Sequence, residues 1–245
     1  IECIVIDDGS TDGTKGEIMR AVALYGSKVK LIVFPVNQGK REGMAAGVNE
    51  AQNEIVIFVD SDSFLEPDAI RNITEHFIDN PTIGAVSGNT KVENGRQNLL
   101  TRMQSIQYAI SFDIYKTCES VHKSVTCCPG CFSAYRRIAI KPLIHKWKEQ
   151  KFFGIKGTFG DDRGLTNFVL KSWNVIYCER ARATTNVPSK FLVYWKQQLR
   201  WKKSWIREGI FAGAFMWKRH PFASLGFYIH FTFPFLGPIL AAKVL

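Results

Sequence analysis

The sequence has no P-loop. No GKS or GKT follows its early glycine cluster, and the glycine spacing there does not match a dinucleotide fingerprint, so NTPases and dehydrogenases that grip phosphates in this way are excluded. It has no disulfide framework either. Six cysteines, Cys3, Cys118, Cys127, Cys128, Cys131 and Cys178, are scattered apart from the cluster CCPGC, which excludes a small secreted cystine-stapled domain. A zinc site would need a second ligand pair opposite CPGC, and no His-rich or Cys-rich segment offers one. Internal repeats and low-complexity linkers are absent. So is an initiator methionine: the chain opens at Ile1 inside a strand-like run and closes at Leu245 inside an apolar one. It is therefore expected to be a segment of a longer protein, for which the lack of a visible signal peptide carries no information.

What is present is globular. The 245 residues are 46% hydrophobic and 22% charged, enough for one large α/β domain or two small ones. The formal net charge of +10 suits phosphate-bearing ligands, nucleic acid or an anionic membrane surface. Residues 1–6 (IECIVI), 29–34 (VKLIVF) and 55–59 (IVIFV) are short apolar runs without polar alternation, as in strands buried on both faces. Helical stretches are predicted to about Tyr25 and over 41–53. This βαβ rhythm predicts a doubly wound, mostly parallel sheet. Further helices are predicted over 67–79, 99–118 and 161–171, and a strand over 84–92. The 99–118 helix carries Leu99, Met103, Ile106, Ile110 and Ile114 at helical spacing.

The last third changes character. Residues 191–218 interleave Tyr194, Trp195, Trp201, Trp205 and Trp217 with Lys196, Arg200, Lys202, Lys203 and Arg207, a composition that fits helices lying in a membrane interface. Residues 222–245 hold only His230 and Lys243 as ionisable groups and are long enough to cross a bilayer, with a buried core helix as the alternative. The basic cluster Lys218, Arg219, His220 precedes that segment, and the positive-inside bias places the remainder in the cytosol.

Three acidic clusters follow apolar runs: Asp7 and Asp8, then Asp60 and Asp62, then Asp161 and Asp162. Ligands of open α/β sheets bind outside the carboxyl ends of the strands, so these acids are expected to share one crevice. Like charges there repel unless a cation or protons intervene. In VDSD, Asp60 and Asp62 can share one Mg²⁺ or Mn²⁺, ions that favour oxygen ligands and keep positions open for phosphates. DDGSTDGT, with Asp7 and Asp8, is either a strand-to-helix turn or a nucleotide pocket. GKREG places Lys40 and Arg41 at a helix start, which favours a diphosphate and equally describes a solvated basic turn. In GDD, Asp162 can act as general base for an acceptor hydroxyl, and both acids can also favour the start of a helix. QQLRW offers the Trp201 indole to a sugar ring and the Arg200 guanidinium to phosphate, or anchors the chain at a membrane.

The order DDGSTDGT, VDSD, GDD, QxxRW resembles the processive family 2 glycosyltransferases: hyaluronan, chitin and cellulose synthases and nodulation chitooligosaccharide synthases. FGDDRGLTN and QQLRWKKSWIRE look closest to hyaluronan synthases, whereas CCPGCFSAYRR reads more like chitin synthases. The resemblance implies a GT-A-like catalytic domain over 1–190, amphipathic interface helices over 191–220 and a transmembrane segment over 221–245. It implies that Asp8 contacts uridine, that Asp60 and Asp62 hold Mg²⁺ or Mn²⁺ on the UDP diphosphate, and that Lys40 approaches the phosphates. Asp162 would be the base and Asp161 its acidic neighbour. Gln197, Arg200 and Trp201 would line the acceptor site, the loop around Cys127 would floor it, and the 99–118 helix would pack on the interface helices. The implied partners are a UDP-sugar donor (UDP-GlcNAc, also UDP-GlcA), a growing polysaccharide and the lipid bilayer, with no nucleic acid. A non-enzymatic basic binding module remains as the alternative from another class, and leaves the acidic clusters unexplained.

Overall fold

Each early apolar run becomes a short strand. In the computed structural model, which describes residues 1–78, 80–157 and 159–244 (the side chains of 156 and 237–244 excepted), Cys3–Asp7 (β1) and Val29–Val33 (β2) pair in parallel across helix Thr14–Tyr25 (α1). Helix Lys40–Glu50 (α2) leads to Ile55–Phe58 (β3), Ser63–Leu65 (β4), helix Ala69–Ile78 (α3) and Ile83–Val92 (β5). Asp79, the last residue of the predicted 67–79 helix, lies outside the described residues.

Helix Leu99–Ala109 (α4) begins in a reciprocal cap. Asn98 accepts from the Thr101 N–H at 2.9 Å, and the Thr101 hydroxyl accepts from the Asn98 N–H at 3.0 Å. It continues through a π-helical turn, Ile110–Lys116, into Thr117–Val121 (α5). Then come Ser133–Arg136 (β6), the short helices Arg137–Ile140 (α6) and Ile144–Lys148 (α7), and the small hairpin Lys151–Phe152 (β7) with Ile155–Lys156 (β8). Helix Asp161–Leu170 (α8), strand Asn174–Thr185 (β9) and the long helices Phe191–Met216 (α9) and Pro221–Val244 (α10) complete the chain.

The main sheet corrects the expectation of a mostly parallel one. Its order is β3-β6-β5-β9-β4; β5 and β9 run parallel, while β3–β6, β6–β5 and β9–β4 are antiparallel. An unbroken apolar run reports burial of both faces and is silent on strand direction. Both faces are indeed covered. Ala85, Tyr135, Val175 and Tyr177 join Leu165, Val169 and Trp147 on one side, while Val86, Ala134, Ile176 and Cys178 join Ile73 and Phe77 of α3 on the other.

The 99–118 helix differs from expectation in which face it buries. Leu99, Met103, Ile106, Ile110 and Ile114 are all exposed, whereas Thr101, Gln104, Phe112 and Lys116 are buried. The buried polar groups are satisfied: Gln104 Nε2 donates to the Leu100 and Pro188 carbonyls, and Lys116 Nζ to the Cys127 carbonyl. Contact with α9 and α10 is made by Tyr108, 6.4 Å from the Trp201 ring, and by Tyr115, 5.4 Å from the His230 ring.

Residues 221–244, predicted to cross a bilayer, form α10, and Leu245 lies outside the described residues. Among the described residues no helix is long and apolar enough to cross a membrane. α10 packs on α9, where Tyr228 donates to the Gly213 carbonyl at 2.6 Å and Phe231 lies 5.1 Å from the Trp205 ring.

At the start of β1, Glu2 accepts the N–H groups of Gln52 (2.8 Å) and Asn53 (3.2 Å) and pairs with Lys30 at 3.3 Å. The Gln52 N–H is the main cause that pulls its carboxyl from 4.5 down to about 2. A depressed carboxyl stabilises the fold fully above its unfolded value and loses that contribution as the pH falls through its folded one. The stability difference between the native chain and Glu2→Gln is expected to be constant above about pH 5 and to shrink towards pH 2, as read by urea denaturation across that range. A difference independent of pH would overturn the clamp.

Candidate active site

The first turn of the site is built around glycine. Gly9 has φ +73°, and a Cβ there would lie 2.7 Å from both Asn37 N and the Val36 carbonyl carbon. This close approach presses the turn after β1 against the loop before α2. Asp8 locks the contact: its Oδ1 accepts the Gln38 N–H at 2.6 Å and its Oδ2 the Gly39 N–H at 2.9 Å. Buried Asp7 accepts the Ser10 N–H at 2.9 Å, and its hydrogen bonds with Ser10 hold its carboxyl below the usual range. Both acids of this turn therefore shape backbone, and Asp8 in particular sets where α2 begins.

The first two residues of α2 then separate. Lys40 Nζ pairs with Asp60 Oδ1 at 2.6 Å. Burial works against its charge, but Asp162 and Asp60 outweigh burial and raise its pKa. Arg41 was expected beside the diphosphate and is instead buried: Nε pairs with Asp161 Oδ1 at 2.7 Å, Nη1 donates to the Trp147 carbonyl at 3.2 Å, and the guanidinium lies 4.9 Å from the Trp147 ring centre. Asp161 is equally buried in that pair. A helix places consecutive side chains about 100° apart, so one residue reaches the crevice and the next the core.

Asp162 faces the crevice. Its Oδ2 accepts the Gly130 N–H at 3.1 Å, and a Cβ on Gly130 would overlap Lys40 Nζ and lie 3.1 Å from Asp60 Oδ1. Gly130, Lys40, Asp60 and Asp162 therefore meet at one point. The loop carrying Gly130 is fastened to α8 by Thr166, whose hydroxyl accepts the Cys128 N–H at 2.9 Å and donates to the Asp162 carbonyl at 2.7 Å. Cys127 is half-buried on this loop. Cys131, which sequence reasoning did not single out, also belongs here: burial first, then Asp60 and Asp162, push its thiol up to about 12, so it stays protonated. Tyr108 was missed as well. Burial, with Cys131, Asp62, Asp60 and Asp162 around it, raises its phenol well above the ordinary value, and its ring neighbours Trp201.

Asp62 is exposed beyond Asp60 in the turn between β3 and β4. Among the described residues no group of three or more His, Cys, Asp and Glu side chains gathers as a complete metal site. Asp60 and Asp62 nevertheless fit a hard divalent cation. They are oxygen donors separated by one residue; Asp60 Oδ1 is held by Lys40, which leaves Asp60 Oδ2 and the exposed Asp62 carboxylate for the ion, and the remaining positions would fall to phosphate oxygens and water. Gln197 is half-buried with its Oε1 unpartnered, and Arg200 is exposed. Among the described residues neither forms an ion pair or hydrogen bond with Asp60 or Asp162. Trp201 reaches the crevice through Tyr108.

The clamp on α8 was not legible as such. Gly160 starts the helix at φ +76°, where a Cβ would overlap Ser204 Oγ of α9. Arg207 Nη2 donates to the Phe159 carbonyl, and its Nε pairs with Glu208 at 2.8 Å. Fully buried Glu208 also accepts from Asn167 Nδ2 at 3.3 Å. The one available signal lay in SWIRE, charged residues following the QxxRW segment.

This architecture matches that of a solved mannosyltransferase from Pyrobaculum calidifontis, in complex with GDP-Man and Mn²⁺, at a TM-score of 0.70 and 20% identity over 98% of this chain and 64% of that one. The fold is that of a GT-A-like glycosyltransferase, with a mixed sheet. Residues 1–144 match the model of glycosyl transferase family 2, and the chain belongs to that family. Among its relatives, a hyaluronan synthase of Streptococcus pyogenes is 33% identical over 220 residues, covering 85% of this chain and 51% of the relative. An N-acetylglucosaminyltransferase of Rhizobium leguminosarum bv. viciae is 31% identical over 209 residues, covering 85% and 49%. The chain thus spans about half the length of the relatives it matches.

Removing one partner of the buried Arg41–Asp161 pair leaves the other charge uncompensated. Asp161→Ala is expected to destabilise the fold by about 3–5 kcal/mol, and Arg41→Met/Asp161→Leu to recover most of that loss. Urea denaturation of the three proteins measures this, and a single-variant loss below about 1 kcal/mol would contradict the pairing.

Proposed function

We propose that the chain is the catalytic part of a membrane-bound, processive, inverting glycosyltransferase that extends a β-linked polysaccharide from UDP-sugars, UDP-GlcNAc together with UDP-GlcA. The observation that carries this reading is the convergence of Lys40, Asp60 and Asp162 on Gly130. It sets a cation for a diphosphate beside a carboxylate for an acceptor. Asp162 takes the proton of the acceptor hydroxyl, whose oxygen attacks the anomeric carbon on the face opposite the leaving nucleoside diphosphate. The bond from that carbon to the diphosphate breaks with inversion, and Lys40 neutralises charge on the departing phosphates. Asp60 and Asp62 would hold Mg²⁺ or Mn²⁺, which supplies further charge neutralisation of the diphosphate. The pyrobaculum enzyme's Mn²⁺ supports a divalent ion.

Asp7 and Asp8 shape the nucleotide pocket, with Asp8 toward uridine. Trp201, with Gln197 and Arg200, lines the acceptor side above a floor that includes Cys127. The apolar stripe Leu99, Met103, Ile106, Ile110 and Ile114, with exposed Leu192, Trp195 and Leu199 on α9, supports a bilayer beneath this side, and the basic cluster Lys218, Arg219 and His220 supports a cytoplasmic catalytic domain. The domain division follows: catalytic residues 1–190, interface helices to 220, and a membrane segment from 221.

A second reading, a chitin synthase-like enzyme using UDP-GlcNAc alone, is favoured by the CCPGC loop and by the N-acetylglucosaminyltransferase relative. Product analysis of the full-length protein in membranes separates the two. The first reading expects polymer only when both UDP-sugars are supplied, and long polymer from UDP-GlcNAc alone would replace it with the second.

Asp162→Asn is expected to lower transfer by at least about 100-fold, the low end for a lost general base, while UDP-sugar binding persists. Transfer at the native rate would reject Asp162 as base. Asp62→Asn is expected to weaken UDP binding in Mn²⁺ and to leave metal-free binding unchanged, as titrated calorimetrically. Equal UDP affinity with and without Mn²⁺ in the native chain would reject the metal.

A further inference from the structure

On the side where α9 hands over to α10, an open groove of about 490 Å³ is lined by His122, Lys123, Asn174, Lys218, Arg219 and His220. The glycosyl-transfer reading uses none of these residues. Three chain segments meet here: the end of α5, the start of β9 and the α9–α10 junction. Among the described residues the lining contains no carboxylate, and no ion pair is formed by Lys123, Lys218 or Arg219. Arg219 is half-buried, yet its donors go to neutral acceptors: Nη2 to the Lys123 carbonyl at 2.9 Å and Asn174 Oδ1 at 3.0 Å, and Nε to Ser124 Oγ at 3.3 Å. Burial accordingly lowers its pKa with no acid to offset it. A partly desolvated cation without a counter-charge costs stability that a bound anion would restore.

Two more features mark the groove as built. The His122 and His220 rings stack at 4.1 Å with planes 9° apart, and the Phe222 N–H donates to His220 Nδ1 at 3.4 Å, which fixes both rings in the lining. Lys123 sits at φ +51°, an unfavourable conformation for a side chain with a Cβ. It is kept there by its N–H to the Ser120 carbonyl at 2.9 Å and by the Val175 N–H donating to its carbonyl at 3.0 Å.

The surroundings identify the kind of anion. Val121, at the groove edge, is 71% exposed, and Phe222, whose ring lies 5.9 Å from His122, is 69% exposed. Leu225, one turn further on the same face of α10, is also exposed. Cations flanked by exposed apolar side chains match an amphiphile with a phosphate head. We propose that this groove binds the phosphate of an anionic phospholipid headgroup, with the acyl chains lying along Val121, Phe222 and Leu225. It rests on the membrane placement proposed above and specifies one lipid contact within it.

The test uses the native 245-residue chain and the variant Lys123→Gln/Lys218→Gln/His220→Gln, all three positions being exposed. Binding to phosphatidylcholine vesicles with and without phosphatidylglycerol is measured by flotation. The native chain is expected to prefer the anionic vesicles by about tenfold or more, since each cation near an anionic surface is worth roughly fivefold. The variant is expected to lose most of that preference, with exposed Lys196, Lys202 and Lys203 of α9 leaving a residual one, and to keep its binding to phosphatidylcholine. A variant that keeps the full preference overturns the site while the membrane reading stands; a native chain that binds neither vesicle overturns both. In parallel, the imidazole NMR signals of His122 and His220 are expected to shift saturably with dihexanoyl phosphatidylglycerol. An equal response to inorganic phosphate at the same concentration would reassign the groove to a small free anion.

Discussion

Acidic side chains gathered at strand ends repel one another, and the architecture depends on how that repulsion is relieved. Two consecutive residues of one helical turn do it. Lys40 neutralises Asp60 in the crevice, and Arg41 neutralises Asp161 in the core. Because both cations ride on the start of α2, the position of that helix is critical, and it is set by Asp8 gripping the Gln38 and Gly39 N–H groups. The same arrangement divides the GDD pair. Asp161 is fixed by a buried partner, which leaves Asp162 to face the crevice beside Gly130.

The helix that carries Asp162 is held from two further directions. Thr166 ties it to the Cys127–Gly130 stretch, and Arg207 with Glu208 ties it to α9. The segment bearing QxxRW and the segment bearing Asp162 are thus parts of one packed unit, and Tyr108 of α4 meets Trp201 of α9 beside it. α9 and the start of α8 meet so closely that Gly160 leaves no room for an added side-chain atom against Ser204.

The outer surface follows a different logic. α4 buries Thr101 and Gln104 and satisfies them with backbone carbonyls, while Leu99, Met103 and Ile106 face outward beside Arg102 and Gln107. An exposed apolar stripe of this kind marks a surface that another apolar phase or a partner would cover. Exposed aromatic and aliphatic residues on α9 and α10 extend that surface, and the uncompensated cations of Lys123, Lys218 and Arg219 lie at their edge.

Much of this was legible in residue order. Apolar runs followed by acids marked β1 and β3, helix-opening acids marked α8, and four ordered motifs marked the family. Sequence could do this because burial of both faces, capping chemistry and carboxylate spacing are local properties. The direction of β6 and the interior place of β9, between β5 and β4, were not legible, since strand pairing joins residues far apart and the run CERARA in β9 carries no apolar signature. Nor was the inversion of α4, because helical spacing shows that a stripe exists and not which side of it the protein occupies. The sequence alone determined that acids would gather at strand ends. Only the tertiary structure decided that Arg41 goes to the core and Lys40 to the crevice, because that choice depends on which face of α2 packs against Trp147 and Asp161.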